Sequence, residues 1–354
     1  MIARLQNEID GALGAELDGV RSFALVDFPD HANVGDSAIY LGELAWLHRR
    51  YGLRPGYVCT VDNFAPAALR QAVPDGPILI HGGGNFGDIW PGHQRLREAM
   101  LAAFPGRRIV QLPQTIHFAN PAARDRVAAG IAAHGNVLLL ARDAVSLDLA
   151  RRSFDCEVRL CPDMAFALGA QDRSTPARHE LLLLLRTDHE RRPRDPCVSV
   201  PAGGVAADWL DEPPDLHARL RRRTALWAAL AKPAAAFDRC HQRERLYRAL
   251  ATRRVARGLG QLGSARSVIT DRLHGHILCL LLGIPHIVFD NHYGKLGGFI
   301  DTWTATCGLA QVTDSLAAAL ACWRGKPASV DRAGIGRAGV DRAGVQPARP
   351  AAVG

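Results

Sequence analysis

The sequence predicts an α/β protein with parallel sheets, divided into two domains, and three observations support this. Short apolar runs alternate with helical segments through the first half of the chain, the pattern of βαβ units. At 354 residues the chain suits two domains of ordinary size better than one. A polar, proline-bearing stretch, GAQDRSTPARHE at 169–180, breaks the alternation, which restarts at LLLLLR (181–186). The expected division is an N-terminal domain over 1–170, a C-terminal domain over 181–325 and a tail over 326–354.

Taken in order, MIARLQNEIDGALGAELDGV reads as an amphipathic helix and not as a signal peptide. FALVDF (23–28) is a strand, PDHANVGD a loop, and SAIYLGELAWLHRRYG a helix. PILIHGG (77–83) is a second strand with a glycine-rich end, RRIVQLP (107–113) a third and NVLLLAR (136–142) a fourth. DAVSLDLARRSF follows as a helix, then the short EVRLCPD segment (157–163). LLLLLR opens the second domain. Residues 190–240 are rich in Arg, Pro and Ala, with a helix expected near 215–231. RERLYRALATRRVARGLGQLGSA is a helix with a basic face, and 268–291 form a strand–helix–strand unit. The tail repeats DRAG-like units without apolar periodicity and is expected to be disordered.

Hydrophobic residues make up 48% and charged residues 22%, enough apolar material for large cores, which excludes wholesale disorder. The net charge of +8 comes almost wholly from arginine, since Lys232, Lys295 and Lys326 are the only lysines. Solvated basic faces account for most of it; the sharper reading is an anionic ligand or an anionic lipid surface. No dense basic–aromatic patch points to nucleic acid. The eight cysteines form no CxxC pair and mostly lie in apolar runs, so free thiols in a reducing cytosol are expected. No apolar window is long enough to span a bilayer.

In a parallel α/β sheet ligands lie beyond the carboxyl ends of the strands, and seven polar clusters fall at such ends. HANVGDS carries Asn33, Gly35 and Asp36; HGGGNFGDIWP carries His81, Gly83, Gly84, Asn85 and Asp88. PQTIHF carries Gln114, Thr115 and His117; ARDAVS carries Arg142, Asp143 and Ser146. LRTDHE adds Arg186 and Asp188, TDRLHGH adds Arg272, His274 and His276, and DNHYGKLGGF adds Asn291, His292, Tyr293 and Lys295. Each alone has a plain structural explanation: a tight turn for HGGGN, a helix cap for NVGDS. Their coincidence at strand ends carries the weight. The histidines lack metal-ligand spacing, so no metal site is expected. GxxxxGK[ST] does not occur, and the GxGxxG spelled by Gly82–Gly87 has no acidic residue about 20 positions on, which disfavours a dinucleotide.

TDRLHGH is the most telling cluster. His274 falls in the first turn of a buried helix, where free N–H groups and the helix dipole favour an anion. Arg272 adds a planar fork suited to a carboxylate or phosphate. A histidine beside that anion is poised for proton transfer. The plain alternative pairs Arg272 with Asp271 and makes His274 a structural cap.

With these residues in view, the sequence resembles the polysaccharide pyruvyl transferase family. The matching motifs are NVGDSAIYLG, HGGGNFGD, LPQTIHF, ARDAVS, LCPDMAFAL, LLLLLRTDHE, ITDRLHGHILCLLLGIPHIVFDN and NHYGKLGGFIDTW, in order over roughly residues 20 to 305. The R-L-H element followed by G-I-P is the most specific of them. The resemblance implies a glycosyltransferase-B-like architecture of two Rossmann-like domains facing across a cleft. It implies transfer of the enolpyruvyl unit of phosphoenolpyruvate onto sugar hydroxyls of a cell-surface or exopolysaccharide glycan, as a pyruvate ketal. The acceptor it implies is a glycan or lipid-linked oligosaccharide, met by a cytoplasmic protein in peripheral contact with the inner membrane face. Carried over by motif, Arg142, Arg272 and His274 form the donor pocket, with His117 a lesser member.

Phosphoenolpyruvate carries a carboxylate and a phosphate, which suits two arginines. Its methylene carbon must gain a proton, for which His274 is the candidate acid, and Asp36 or Asp88 is the candidate base or acceptor ligand. Lys295, Asn33, Gly83, Gly84 and Asn85 complete the expected substrate contacts. No cofactor or metal is required by this chemistry. The alternative readings are a nucleotide-sugar-dependent glycosyltransferase of the same architecture and a non-catalytic glycan-binding protein; a neutral sugar gives the latter no reason to collect Arg272, His274 and Lys295.

Overall fold

A computed structural model describes residues 1–174, 176–188, 199–216, 218–220, 222, 237–290 and 295–325, with the backbone alone for 237–239 and 295. The expected tail disorder beyond 326, most of the expected helix at 215–231, and Asn291, His292 and Tyr293 lie outside the described residues.

Two all-parallel sheets organise the chain. The N-terminal sheet contains β1 (Ala24–Val26), β2 (Tyr57–Val58), β3 (Ile78–Ile80), β4 (Gly83–Gly87), β5 (Ile109–His117), β6 (Val137–Ala141) and β7 (Glu157–Leu160), in the order β2-β1-β3-β5-β6-β7, with β4 also paired to β5. Its helices are α1 (Ile2–Leu13), α2 (Val34–Tyr51), α3 (Pro66–Ala72), α4 (Pro91–Ala103), α5 (Pro121–His134) and α6 (Ala144–Ser153), followed by a 3₁₀ turn, Met164–Leu168. Most central strands read as unbroken apolar runs because helices cover both faces: ILI of β3 and VLLLA of β6 are buried throughout. The C-terminal sheet contains β8 (His179–Leu184), β9 (Gly204–Ala207), β10 (Ala265–Thr270), β11 (His286–Phe289) and β12 (Ala310–Thr313), in the order β12-β11-β10-β8-β9. With it come α7 (Phe237–Gly263), α8 (Leu273–Leu282), α9 (Lys295–Phe299), a π turn (Ile300–Thr304) and α10 (Leu316–Arg324).

Strand order reverses once in each sheet. From β1 the chain goes to β2 on one side and to β3 on the other; from β8 it goes to β9 on one side and β10 on the other. Segments leaving adjacent strands in opposite directions open a crevice at the strands' carboxyl ends. The two crevices face each other. The sheets do not mix strands, yet one hydrophobic cluster joins them, with Leu25, Val34, Tyr40 and Trp46 of the first half and Tyr247, Val268, Ile277 and Leu281 of the second. The helix α7 lies directly on α2: a Cβ at Gly258 would stand 2.3 Å from Val34 Cγ1.

Two departures from the sequence reading concern β5. The strand runs beyond RRIVQLP to His117, so Gln114 and Thr115 are strand residues and not part of a loop. Its register shifts between Gln111 and Gln114, around Pro113, whose missing N–H cannot serve a regular ladder. The glycine-rich GGNFG, expected as a turn, forms β4 against the outer end of β5. That approach is very close: at Gly87, φ 125°, a Cβ would overlap the His117 carbonyl at 1.7 Å.

The described cysteines are free; Cys59, Cys161 and Cys279 are buried and the other four half-buried. Among the described residues no helix is long and apolar enough to cross a membrane.

Candidate active site

The facing crevices form one cleft of about 350 Å³. From the N-terminal half it is lined by the loop into α2 and its first turn (His31, Asn33, Asp36), His81 after β3, Gly84 and Asn85 of β4, α4's entry (Trp90, His93) and Arg142 after β6. From the C-terminal half come Arg186 and Asp188 after β8, Trp209 and Leu210 after β9, and Arg272, Leu273 and His274 after β10. The structure thus brings together His274, Asp36, Arg142, Arg272, Asn33, Gly84 and Asn85 from seven short sequence motifs or fewer.

Arg272 and His274 sit where β10 hands over to α8, a ten-residue helix buried along its whole length. Thr270 closes the turn by accepting the Arg272 N–H at 3.1 Å. Arg272 is not paired with Asp271, whose carboxylate accepts the Arg186 N–H at 2.8 Å. Its guanidinium instead donates to Asp208 at 2.7 Å and lies over the Trp209 ring, leaving Nε without a hydrogen-bond partner among the described residues. Asp208 belongs to the poorly legible Arg/Pro/Ala-rich stretch. Burial alone would raise its carboxyl pKa, but the Arg272 guanidinium holds it below the ordinary value.

Arg142 leaves β6 and is 3% exposed. Its Nε donates to Thr115 Oγ1 and NH1 to Asp163 Oδ2, both at 2.8 Å. Asp143 does not pair with it but caps α6 through Ser146 N–H at 2.7 Å. Asp163, from the LCPD end of β7, is also 3.4 Å from His274 Nε2, so one carboxylate stands behind both the arginine of one sheet and the histidine of the other. Burial works to raise its pKa; His274, Arg142 and the Ala165 N–H outweigh burial and hold it well below the usual carboxylate range. Sequence reasoning quoted this motif without giving Asp163 a role. The available signal was its place, a carboxylate directly after a strand.

Asn33 caps α2, accepting the Gly35 N–H at 3.1 Å and donating to Asp36 Oδ2 at 2.8 Å. Gly35 has a further purpose. A Cβ there would stand 2.3 Å from His274 Nδ1, so the imidazole of the C-terminal half rests on the bare backbone of α2. Asp36 is left facing the cleft. Burial opposes its ionisation, but His31, His274, His81 and Arg142 together lower its pKa and keep it ionised.

Two more carboxylate–histidine pairs border the cleft. His81 bonds the buried Glu43 at 2.8 Å, and His93 bonds the buried Asp27 at 2.7 Å. Asp27 ends β1 with φ 71°, a strained conformation for a non-glycine residue. The signal for Glu43 was a charge on the apolar face of α2, beside Ile39 and Trp46.

Four expected contacts are placed elsewhere or lie beyond description. Asp88 is outside the cleft: its two oxygens accept the N–H groups of Ala119 and Asn120 at 3.0 and 2.7 Å, tying the end of β5 to the start of α5. His117 is carried past the cleft by the extra length of β5, opposite Gly87. Lys295 begins α9, and its side chain lies outside the described residues. Gly83 underlies the cleft floor without lining it; a Cβ there would meet Ile39 and Asp36. Among the described residues no group of three or more His, Cys, Asp or Glu is arranged to hold a metal ion.

The fold and site together define an α/β protein whose cleft gathers guanidinium groups and carboxylate-paired histidines from both sheets. Residues 33–293 match the family model for polysaccharide pyruvyl transferase, and the chain belongs to that family. It is therefore a transferase. It is 33% identical over 327 residues to pyruvyl transferase 1 of Schizosaccharomyces pombe, covering 85% of this chain and 75% of that protein. To EpsO of Bacillus subtilis, provisionally named a pyruvyl transferase, it is 31% identical over 278 residues, 78% of this chain and 84% of that one. A crystal structure of a Klebsiella pneumoniae protein of uncharacterized function superposes with a TM-score of 0.58 at 16% identity, over 88% of this chain and 99% of that one, a likeness of fold.

Proposed function

We propose that the protein transfers the enolpyruvyl unit of phosphoenolpyruvate onto sugar hydroxyls of a polysaccharide or its lipid-linked precursor, forming a pyruvate ketal. One observation carries the reading: Arg142 and Arg272, from different sheets, converge on one cleft with His274 between them. Donor carboxylate and phosphate take one guanidinium each. Protonation of the methylene carbon by His274 leaves the adjacent carbon electrophilic, and a sugar hydroxyl attacks it. The Asp163 carboxylate stands 3.4 Å from His274 Nε2 and positions the ring for that role. Asn33 and Asp36 stand on the acceptor side, where an ionised carboxylate orients a hydroxyl. The polysaccharide acceptor follows from the family. Two Rossmann-like domains, over 1–170 and 181–325, facing each other in the manner of a glycosyltransferase-B fold suit a reaction between a small donor and a long acceptor. No cofactor is needed. The basic excess suits a cytoplasmic protein meeting its acceptor at an anionic membrane face.

Incubating the chain with phosphoenolpyruvate and a glycan acceptor should release phosphate and yield a pyruvylated product. Release of nucleotide from a nucleotide sugar, with phosphoenolpyruvate inert, would replace this reading with glycosyl transfer.

A further inference from the structure

His81 and Glu43 form a pair that the donor chemistry does not use. His81 follows β3 and is 1% exposed; Glu43 lies on the inward face of α2 and is fully buried. Glu43 Oε1 accepts the Gly82 N–H at 2.8 Å, and Oε2 accepts from His81 Nδ1 at 2.8 Å. Both carboxylate oxygens are therefore committed and the group cannot swing away. The arrangement fixes the tautomer, with the proton on Nδ1 and a lone pair on Nε2. His81 Nε2 is buried, has no hydrogen-bonding partner among the described residues, and belongs to a side chain that lines the cleft. The imidazole is also held from its own backbone: the His81 N–H donates to Val26 O, and its carbonyl accepts from Gln111 and Gln114, all at 3.0 Å.

We propose that His81 is the general base that takes the proton from the attacking acceptor hydroxyl, with Glu43 as its positioning residue. This rests on the pyruvyl-transfer reading. The hydroxyl oxygen bonds to the donor's central carbon while its O–H bond breaks, the proton passing to His81 Nε2. His274 delivers a proton to the methylene carbon, which becomes methyl. Loss of phosphate and attack by the second hydroxyl close the ketal, and that hydroxyl's proton leaves with the phosphate as hydrogen phosphate. Solvent then returns the proton from His81 to His274.

Asp36 is poorly suited to the same task. The cations around it keep it ionised but weaken it as a base. The charged and titratable groups facing His81 are Glu43 and Asp36 on α2, Asp27 at the end of β1, and His31 in the loop before α2. Burial lowers the His81 pKa, but the charge and hydrogen bond of Glu43 outweigh it and set the value above that of an ordinary histidine.

The test uses His81→Gln and Glu43→Gln in the full chain, with pyruvyl transfer from phosphoenolpyruvate followed across pH and donor affinity measured by equilibrium titration. His81→Gln should lower kcat by about 10²–10⁴-fold, leave donor affinity within roughly threefold, and abolish the acid limb of the kcat/KM profile. Glu43→Gln should move that limb to lower pH with a smaller loss of rate. A folded His81→Gln with wild-type kcat, or with the acid limb unchanged, overturns the assignment. If His81→Gln does not fold, Glu43→Gln decides, and an unmoved acid limb overturns it. A wild-type protein that transfers nothing from phosphoenolpyruvate overturns the reaction itself, and this proposal with it; active wild type beside unaffected variants overturns only the base.

Discussion

Replacing Gly35 with alanine adds one methyl group and tests how the cleft is held together. The new Cβ would stand 2.3 Å from His274 Nδ1, 2.5 Å from Cγ and 2.7 Å from Cβ, where ordinary contact begins at 3.4 Å. The imidazole must therefore retreat by roughly 1 Å, a displacement sufficient to cost about 10²-fold in a positioned reaction. It cannot move freely, because α8 is buried throughout and His274 sits in its first turn. Stability is affected less. Crowding costs about 1–3 kcal/mol, while alanine in place of glycine inside a helix recovers up to about 1 kcal/mol. Turnover should fall near 10²-fold with a thermal midpoint only modestly lowered and donor affinity largely retained, since neither arginine touches Gly35. The paired control is Gly260→Ala in α7, where a Cβ meets nothing within 4 Å; it should stabilise slightly and leave turnover alone. Wild-type turnover in a folded Gly35→Ala protein would refute the view that His274 works from this seat.

Arg272→Lys keeps the charge but loses the fork and its packing on Trp209, so donor affinity should fall at least about tenfold, roughly 1.4 kcal/mol; unchanged affinity by equilibrium titration moves the anion pocket to Arg142 and the HGGGN turn. Asp163→Asn leaves Arg142 and His274 without their shared anion and should cost about 3–5 kcal/mol in denaturant melts at neutral pH. Because the folded Asp163 carboxyl titrates below its unfolded value near about 3.9, its contribution is complete above that value and is lost as pH falls through the lower folded one. The variant should therefore lose less stability than wild type between pH 7 and about pH 3, and parallel curves would contradict the shift. Vesicles containing anionic lipid should bind the protein at low salt and release it at high salt, and salt-indifferent binding would reject electrostatic attachment.

The elements most legible in the sequence were those buried on both faces. ILI, VLLLA and LLLL leave little choice but parallel strands under helices, and the break between sheets, 161–178, overlaps the polar stretch 169–180. Legibility failed where close backbone approach replaces side-chain pattern. GGNFG has no strand signal, yet becomes β4 because only glycine permits its distance from β5. Asp88 and His117 looked equivalent to Asp36 and Arg142, all being polar residues after apolar runs. What separates them is local pairing: Asp88 is taken up by the Ala119 and Asn120 N–H groups, and His117 lies at the far end of β5 against Gly87. Asp208 and Trp209 were hidden by an Arg/Pro/Ala-rich background, and Glu43 by its position in the middle of a helix.

The arginines of this cleft are not loose cations awaiting an anion. Arg142 is fixed by Thr115 and Asp163, and Arg272 by Asp208 and Trp209. An unfixed arginine would lose side-chain freedom worth about 2 kcal/mol on meeting a ligand; here that freedom is already lost in folding. The consequence is electrostatic. Around the cleft the described residues set Arg142, Arg186 and Arg272 against Asp36, Asp163, Asp188 and Asp208, so formal charge alone does not attract an anionic donor. Selection must come from aimed N–H groups, which is how preorganised sites discriminate. The volume of about 350 Å³ lies at the small end of ligand pockets, roughly 300–1,000 Å³, as a three-carbon donor beside one sugar ring requires. Because the two arginines belong to different sheets, a donor that engages both also ties the halves together.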